Sequence, residues 1–275
     1  MLLMGFPTLG KPSFFNPMHL IKYFLGILLF IPSIPFLLIA GKRTRAKVPK
    51  LEAPTDTKGV SGEGQKQLNL LVLGESTMDG IGVNSHQDGF TGALADLLAE
   101  GQQATVNWEV IAKSGYTAKE VLEHLLPTVP TEPQDLVVIG LGGNDAFGLN
   151  TPFRWKRHMK SLITALQQTY PSAPIICLQM PPIAQFPAFP SILQFFIGGL
   201  VDIHGKTLAG LVKTMENVYY PDEAIRFNKW KQKFPDLAHL PGDVFFSDGV
   251  HPSALTYQTW AKDIYRFMGK QDILS

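Results

Sequence analysis

The chain has 275 residues, a formal net charge of +1, and 45% hydrophobic against 17% charged residues. Such a length accommodates one large single-core domain after removal of a tail, and the near-neutral charge provides no field for nucleic acid or a strongly acidic partner. The charged share lies below that of ordinary soluble domains, and the single cysteine, Cys177, excludes an internal disulfide and sits in an apolar run where a small packed hydrophobe belongs.

In chain order, residues 23–40 come first: eighteen residues without a charge, which meets the lower limit for spanning a bilayer. A cleaved signal peptide has a shorter apolar region ending in an A-x-A-like site, absent here. A soluble core helix would be broken by Pro32 and Pro35. A single N-terminal membrane helix is therefore expected. Lys42, Arg43, Arg45, Lys47 and Lys50 follow it, against Lys11 and Lys22 before it, so the positive-inside tendency places the rest of the chain in the cytoplasm. The expected organisation is tail and anchor over 1–47, a polar linker over 48–67 and a catalytic domain over 68–275.

Within that domain, residues 68–73, 108–112, 136–141 and 175–178 are short and apolar throughout, as strands buried on both faces of a parallel sheet are. Amphipathic stretches lie between and after them. Phe90, Leu94, Leu97 and Leu98 share one helical face, as do Met159, Leu162, Ile163 and Leu166, and then Tyr257, Trp260, Ala261, Ile264, Tyr265 and Met268. This alternation predicts an α/β fold: a three-layer α/β/α sandwich around a mainly parallel sheet. No Gly-x-Gly-x-x-Gly and no phosphate loop occurs, and the seven histidines have no zinc spacing. No cofactor and no metal is expected.

Residues 181–201 read PPIAQFPAFPSILQFFIGGLV. The prolines oppose a spanning helix at the start, and the apolar part after Pro190 is too short to cross a bilayer. Phe186, Phe189 and Phe196, with Ile192 and Leu193, are candidate substrate-binding residues for an acyl chain; the alternative is that they are core.

Sites in such sheets form beyond the carboxyl ends of strands. Four segments occupy those places: Gly74-Glu75-Ser76, Lys113-Ser114-Gly115, Gly142-Gly143-Asn144-Asp145, and Asp248-Gly249-Val250-His251 before the last helix. A serine hydroxyl becomes a nucleophile when a neutral imidazole takes its proton. A carboxylate three residues before a histidine can hold that ring in one tautomer. A glycine N–H and an asparagine side chain can serve as oxyanion donors.

In this order, the four segments resemble the blocks of the SGNH hydrolase superfamily, the GDSL esterases and lipases. The resemblance implies a flavodoxin-like fold and a serine esterase of the lipase type. In it Ser76 is nucleophile, His251 base and Asp248 its partner, while Ser76, Gly115 and Asn144 form the oxyanion hole. The expected partners are a small-molecule or lipid acyl ester and, through the N-terminal anchor, the membrane. The family's first-block aspartate is Glu75 here, one methylene longer, which alters local hydrogen bonding. Asp145 is read as a loop-holding group, and Glu75 with Asp79 as a turn-stabilising polar pair. The same residues serve a saccharide O-acetyl esterase or an acyltransferase, and a catalytically silent tethered binding module is the reading from another class.

Overall fold

The computed structural model describes residues 39–44, 46–221 and 223–274, with Leu25, Leu28, Pro35 and Phe36 before them. Most of the expected membrane segment, 23–40, therefore lies outside the described residues.

The sheet has six strands: β1 (Lys58–Ser61), β2 (Lys66–Gly74), β3 (Ala104–Ala112), β4 (Leu136–Gly140), β5 (Ile175–Cys177) and β6 (Val218–Tyr219), in the order β1-β3-β2-β4-β5-β6. All neighbours are parallel except β1, which pairs antiparallel with β3 from Lys58 opposite Glu109 to Ser61 opposite Val106. The helices are α1 (Phe90–Gln102), α2 (Ala118–Glu120), α3 (Gly143–Phe147), α4 (Pro152–Thr169), α5 (Ser191–Val212), α6 (Phe227–Lys233) and α7 (Ala254–Lys270).

Side chains alternate across each central strand, and both faces are apolar because helices cover both. Leu70 and Val72 of β2, Val138 of β4 and Ile176 of β5 face a core shared with Leu94 of α1 and Trp260 and Ile264 of α7. Leu71, Leu73, Val137, Ile139 and Cys177 face the other way, toward Met159, Leu162 and Ile163 of α4 and Val201 and Leu208 of α5. The three-layer α/β/α sandwich is thus the observed architecture. Cys177 is fully buried in β5, and burial pushes its thiol up to about 12.

Three features depart from the sequence reading. Lys58–Ser61, expected within a linker, forms the edge strand β1, and Asp56 and Thr57 before it are tied to the domain. Asp56 accepts from Ser85 Oγ at 2.6 Å and from the His86 amide, and the Thr57 carbonyl accepts from Val110 N at 2.8 Å. Strand β3 begins at Ala104 rather than 108, because Ala104, Val106 and Trp108 bury one face while Thr105 and Asn107 remain partly or fully exposed. Finally, the apolar run that ends at Val201 is only the first half of α5. The helix continues to Val212 and is long and apolar enough, by length and composition, to cross a membrane. It is a wall of the sandwich instead: Leu193, Ile197, Val201, His204, Leu208 and Leu211 are buried.

Strands β3 and β4 lie on either side of β2, so the chain reverses direction across the sheet there. The carboxyl ends of β2 and β4 flank the crevice at which ligands bind in open α/β sheets. The turn carrying Ser76 leaves β2, and the connection from β4 leads into α3, whose first turn carries Asn144.

Candidate active site

The structure draws the strand exits together through buried polar contacts. Glu75, 4% exposed, crosses from the end of β2 to the start of α3, accepting from the amide of Gly143 at 2.7 Å and of Asn144 at 2.8 Å. Asp79 accepts from the Ser114 amide at 2.8 Å, holding the loop after β3. The Asn144 side chain donates to the Tyr116 carbonyl at 3.1 Å, which leaves its second N–H for another acceptor. Asp145 is fully buried and accepts from Ala118 N at 2.8 Å and from Asn150 Nδ2 at 2.7 Å. Its role is to hold loops, as the sequence reading has it.

Gly115 has φ +90°, a region that favours glycine, and a side chain built on it would meet nothing within 4 Å. Its amide therefore stands in an open, exposed loop. Gly142 needs its φ of +129° for another reason: a side chain there would strike Met180.

Asp248 and His251 form a pair. Asp248 Oδ2 lies 2.7 Å from His251 Nδ1, and its other oxygen accepts from the amides of Val250 (2.9 Å) and His251 (2.7 Å), an Asx-type turn that closes over Gly249. The Asp248 side chain is shielded from solvent while His251 keeps 22% of its side-chain surface. Burial alone pushes the Asp248 carboxyl upward, but the bond from the His251 ring and the two amides outweigh it and hold the group below the usual aspartate range. With the carboxylate accepting at Nδ1, the ring's Nε2 is the acceptor. This loop packs on the turn after Ser76: a side chain at Gly82 would strike Ser247 Oγ, and Tyr257 Oη donates to the Ile81 carbonyl at 2.8 Å.

A cavity of about 780 Å³ opens at these groups. Ser114, Asn144 and His251 line it, with Phe147, Phe189, Leu193, Ile197 and Val250 as apolar walls. Of the expected substrate-binding side chains, Phe189 is on the wall. Phe186 is only 6% exposed and packs edge-on against Phe189 and Phe246, and Phe196 pairs with Phe195; neither lines the cavity. For Phe196 the helical register of α5 explains this, since Leu193 and Ile197 lie one turn apart on the face turned inward.

Sequence reasoning did not foresee Glu75 as the group that positions Asn144. The residue change was visible, but its partners lie 68 and 69 residues away. Burial raises its pKa to about 7 although the Asn144 and Gly143 amides oppose the shift. A folded-state value above the unfolded 4.5 means that this stabilisation is full below pH 4.5 and is lost as pH rises through about 7. In Glu75→Gln, an amide N–H faces one of the two backbone N–H groups. The expected outcome is a loss of about 1–3 kcal/mol in chemical unfolding at neutral pH, from the buried unsatisfied donor. The wild-type decline in stability between pH 4.5 and 7 should also be absent from the variant. An unchanged pH slope would remove Glu75 as its source.

An Asp–His pair and a strand-exit serine at the crevice of a doubly wound sheet are the residue types that acyl transfer uses. Comparison with known proteins agrees. Residues 72–259 match the GDSL-like Lipase/Acylhydrolase family. No curated protein matches the sequence. Among solved structures, TesA is similar with TM-score 0.52 at 18% identity, over 73% of this chain and 97% of that one. LAE5, an alpha/beta hydrolase enzyme from the metagenome of Lake Arreo, Spain, gives 0.54 at 16%, over 77% and 97%. A catalytic mutant of Axe2, an acetylxylan esterase from Geobacillus stearothermophilus, gives 0.54 at 16%, over 75% and 95%. At these identities the structures speak for the fold. The chain belongs to the GDSL-like lipase/acylhydrolase family, within the SGNH hydrolase superfamily. It is a carboxylic ester hydrolase.

Proposed function

We propose that the protein cleaves esters of apolar acyl groups through an acyl-serine intermediate. Ser76 Oγ attacks the ester carbonyl while His251 Nε2 takes its proton, and Asp248 stabilises the imidazolium that forms. The amides of Ser76 and Gly115 and the free side-chain N–H of Asn144 receive the oxyanion. Collapse of the tetrahedral species breaks the ester C–O bond, and His251 returns the proton to the departing alcohol. Water then attacks the acyl carbonyl as His251 takes its proton, and the C–Oγ bond breaks as His251 returns that proton to Ser76 Oγ, releasing the acid. The observation that carries this reading is His251, bonded to Asp248 and lining one cavity with Asn144, at the crevice where β2 delivers Ser76.

The apolar walls favour a medium or long acyl chain over acetate. The Axe2 likeness supports the second reading, a saccharide O-acetyl esterase. Each buried methylene contributes ~0.8 kcal/mol, about fourfold in binding. The expected result is a kcat/KM that climbs from acetyl through butyryl to octanoyl esters, with a shallower climb in Phe189→Ala. Fastest turnover of the acetyl ester would favour the saccharide reading and end the acyl-chain one.

The anchor belongs to the same proposal. Leu25, Leu28, Phe36 and Ile39 are helical and exposed, which suits a surface covered by lipid. The basic cluster that follows supports a domain on the cytoplasmic face. Digestion of the domain by protease applied to intact cells would overturn that orientation.

A further inference from the structure

The cavity at His251 and Asn144 has a wall that does not come from the sandwich. Gly41, Thr44, Val48 and Leu51, from the stretch that leaves the N-terminal segment, line it together with the catalytic-side residues. This arm is seated. Residues 39–44 and 46–47 are helical, and the helix closes with Val48 N on the Thr44 carbonyl at 3.0 Å. Ala40 packs against the core beneath α4 and α5, and Thr44 is only 8% exposed. Twelve residues on from Thr44, Asp56 is bound to Ser85 and His86, so the arm is held at both ends.

Its residues are also of a distinct kind. Where the arm meets the cavity it presents Gly41, Thr44, Val48, Pro49, Lys50 and Leu51, one cation among small and apolar residues, with no carboxylate among the lining residues. Gly41 lines the cavity, and a side chain built on it would meet nothing within 4 Å, so a larger residue fits at this position. A wall that offers Val48, Pro49 and Leu51 beside a hydrolytic centre, with Lys50 as its one charge, fits a substrate's acyl chain.

We infer that Gly41, Thr44 and residues 48–51 form part of the acyl-binding site and set acyl-length specificity, so that the substrate's acyl chain is gripped between the hydrolase domain and its own membrane-proximal arm. This rests on the acyl-ester reading above and extends it to a segment outside the catalytic fold. The arm follows directly on the apolar segment proposed as the anchor, which places the acyl site next to the bilayer surface.

Two measurements on the full-length protein in nonionic detergent test it. In Gly41→Leu the new side chain occupies the free space, and leucine is a better helix former than glycine, so folding is not threatened. The ratio of kcat/KM for octanoyl over acetyl esters should fall tenfold or more, about the effect of two methylenes losing their contacts. Equal losses on both esters would mean that the arm serves folding rather than specificity and would overturn the inference, as would an unchanged ratio.

The second measurement needs no turnover. In Leu51→Cys, maleimide labels the exposed new thiol, while Cys177 stays silent because it is fully buried. Octanoate should slow the labelling at least severalfold and acetate should not. Absence of protection by octanoate overturns the arm's role whatever the enzyme hydrolyses. Protection in a protein that cleaves no ester would instead leave the arm as a binding wall and defeat the hydrolytic reading.

Discussion

Replacing Ser76 by alanine is expected to lower kcat on a nitrophenyl ester by about 10⁴- to 10⁶-fold while the protein stays folded. The size follows from the role: without the hydroxyl no acyl-enzyme forms, and the remaining donors and binding surfaces accelerate attack by water alone. Stability should barely change, because Ser76 is half-buried on the turn after β2, where its backbone carbonyl accepts from Ile81 N and the side chain fills no part of the core. Single-turnover kinetics with a fluorophosphonate label, alongside a melting curve, separates the two effects. Retained turnover in a folded variant would sink the nucleophile assignment, and a large drop in Tm would mean that the turn had been misread as dispensable for packing.

The second large effect is expected of Asp248→Asn, a loss of about 10⁴ in kcat. The Asx-type turn should survive, since the asparagine carbonyl oxygen can still accept from the Val250 and His251 amides at the place of Oδ1. What changes lies at the other oxygen, 2.7 Å from His251 Nδ1. An amide nitrogen there donates toward the ring and selects the tautomer with its proton on Nε2, which cannot then take the serine proton. Because the native Asp248 carboxyl is held below its ordinary value, its charge contributes stability above the unfolded value of 3.8 and loses it as pH falls through the lower folded value. The variant should therefore show a flatter acid limb in its unfolding profile as well as the rate loss. NMR of the ring nitrogens reports the tautomer directly; an unaltered tautomer with normal kcat would remove Asp248 from the mechanism.

These expectations differ in how far they could be read from the chain. Asp248 and His251 lie three residues apart across a glycine with φ +83°, and the carboxylate–imidazole bond closes within one turn. A contact so local is written in the spacing. The central strands were legible for a similar reason: β2, β4 and β5 are buried on both faces, so their apolar runs are uninterrupted. Strand β1 escaped because Lys58, Gly59, Val60 and Ser61 carry no apolar pattern. It is held by main-chain pairing to β3, which any side chains permit.

The amphipathic stripes of α1, α4 and α7, the strand-exit serine and asparagine, and the Asp-x-x-His turn were determined by sequence alone, since periodicity and short-range hydrogen bonding depend only on neighbours along the chain. Three things were decided by tertiary structure. Glu75 holds the Asn144 loop because the order of β2 beside β4 brings their ends together across 69 residues. Phe189, Leu193 and Ile197 line the cavity while Phe186 is core, a choice made by how the segment before α5 and the helix itself pack on the domain and invisible in a run with no charged residue. Residues 48–51, read from the sequence as the start of a polar linker, line the cavity, and Asp56, Thr57 and β1 dock the chain that follows on the domain. The physical reason is common to all three: they depend on which distant surfaces meet, and residue spacing carries that information only once the sheet has assembled.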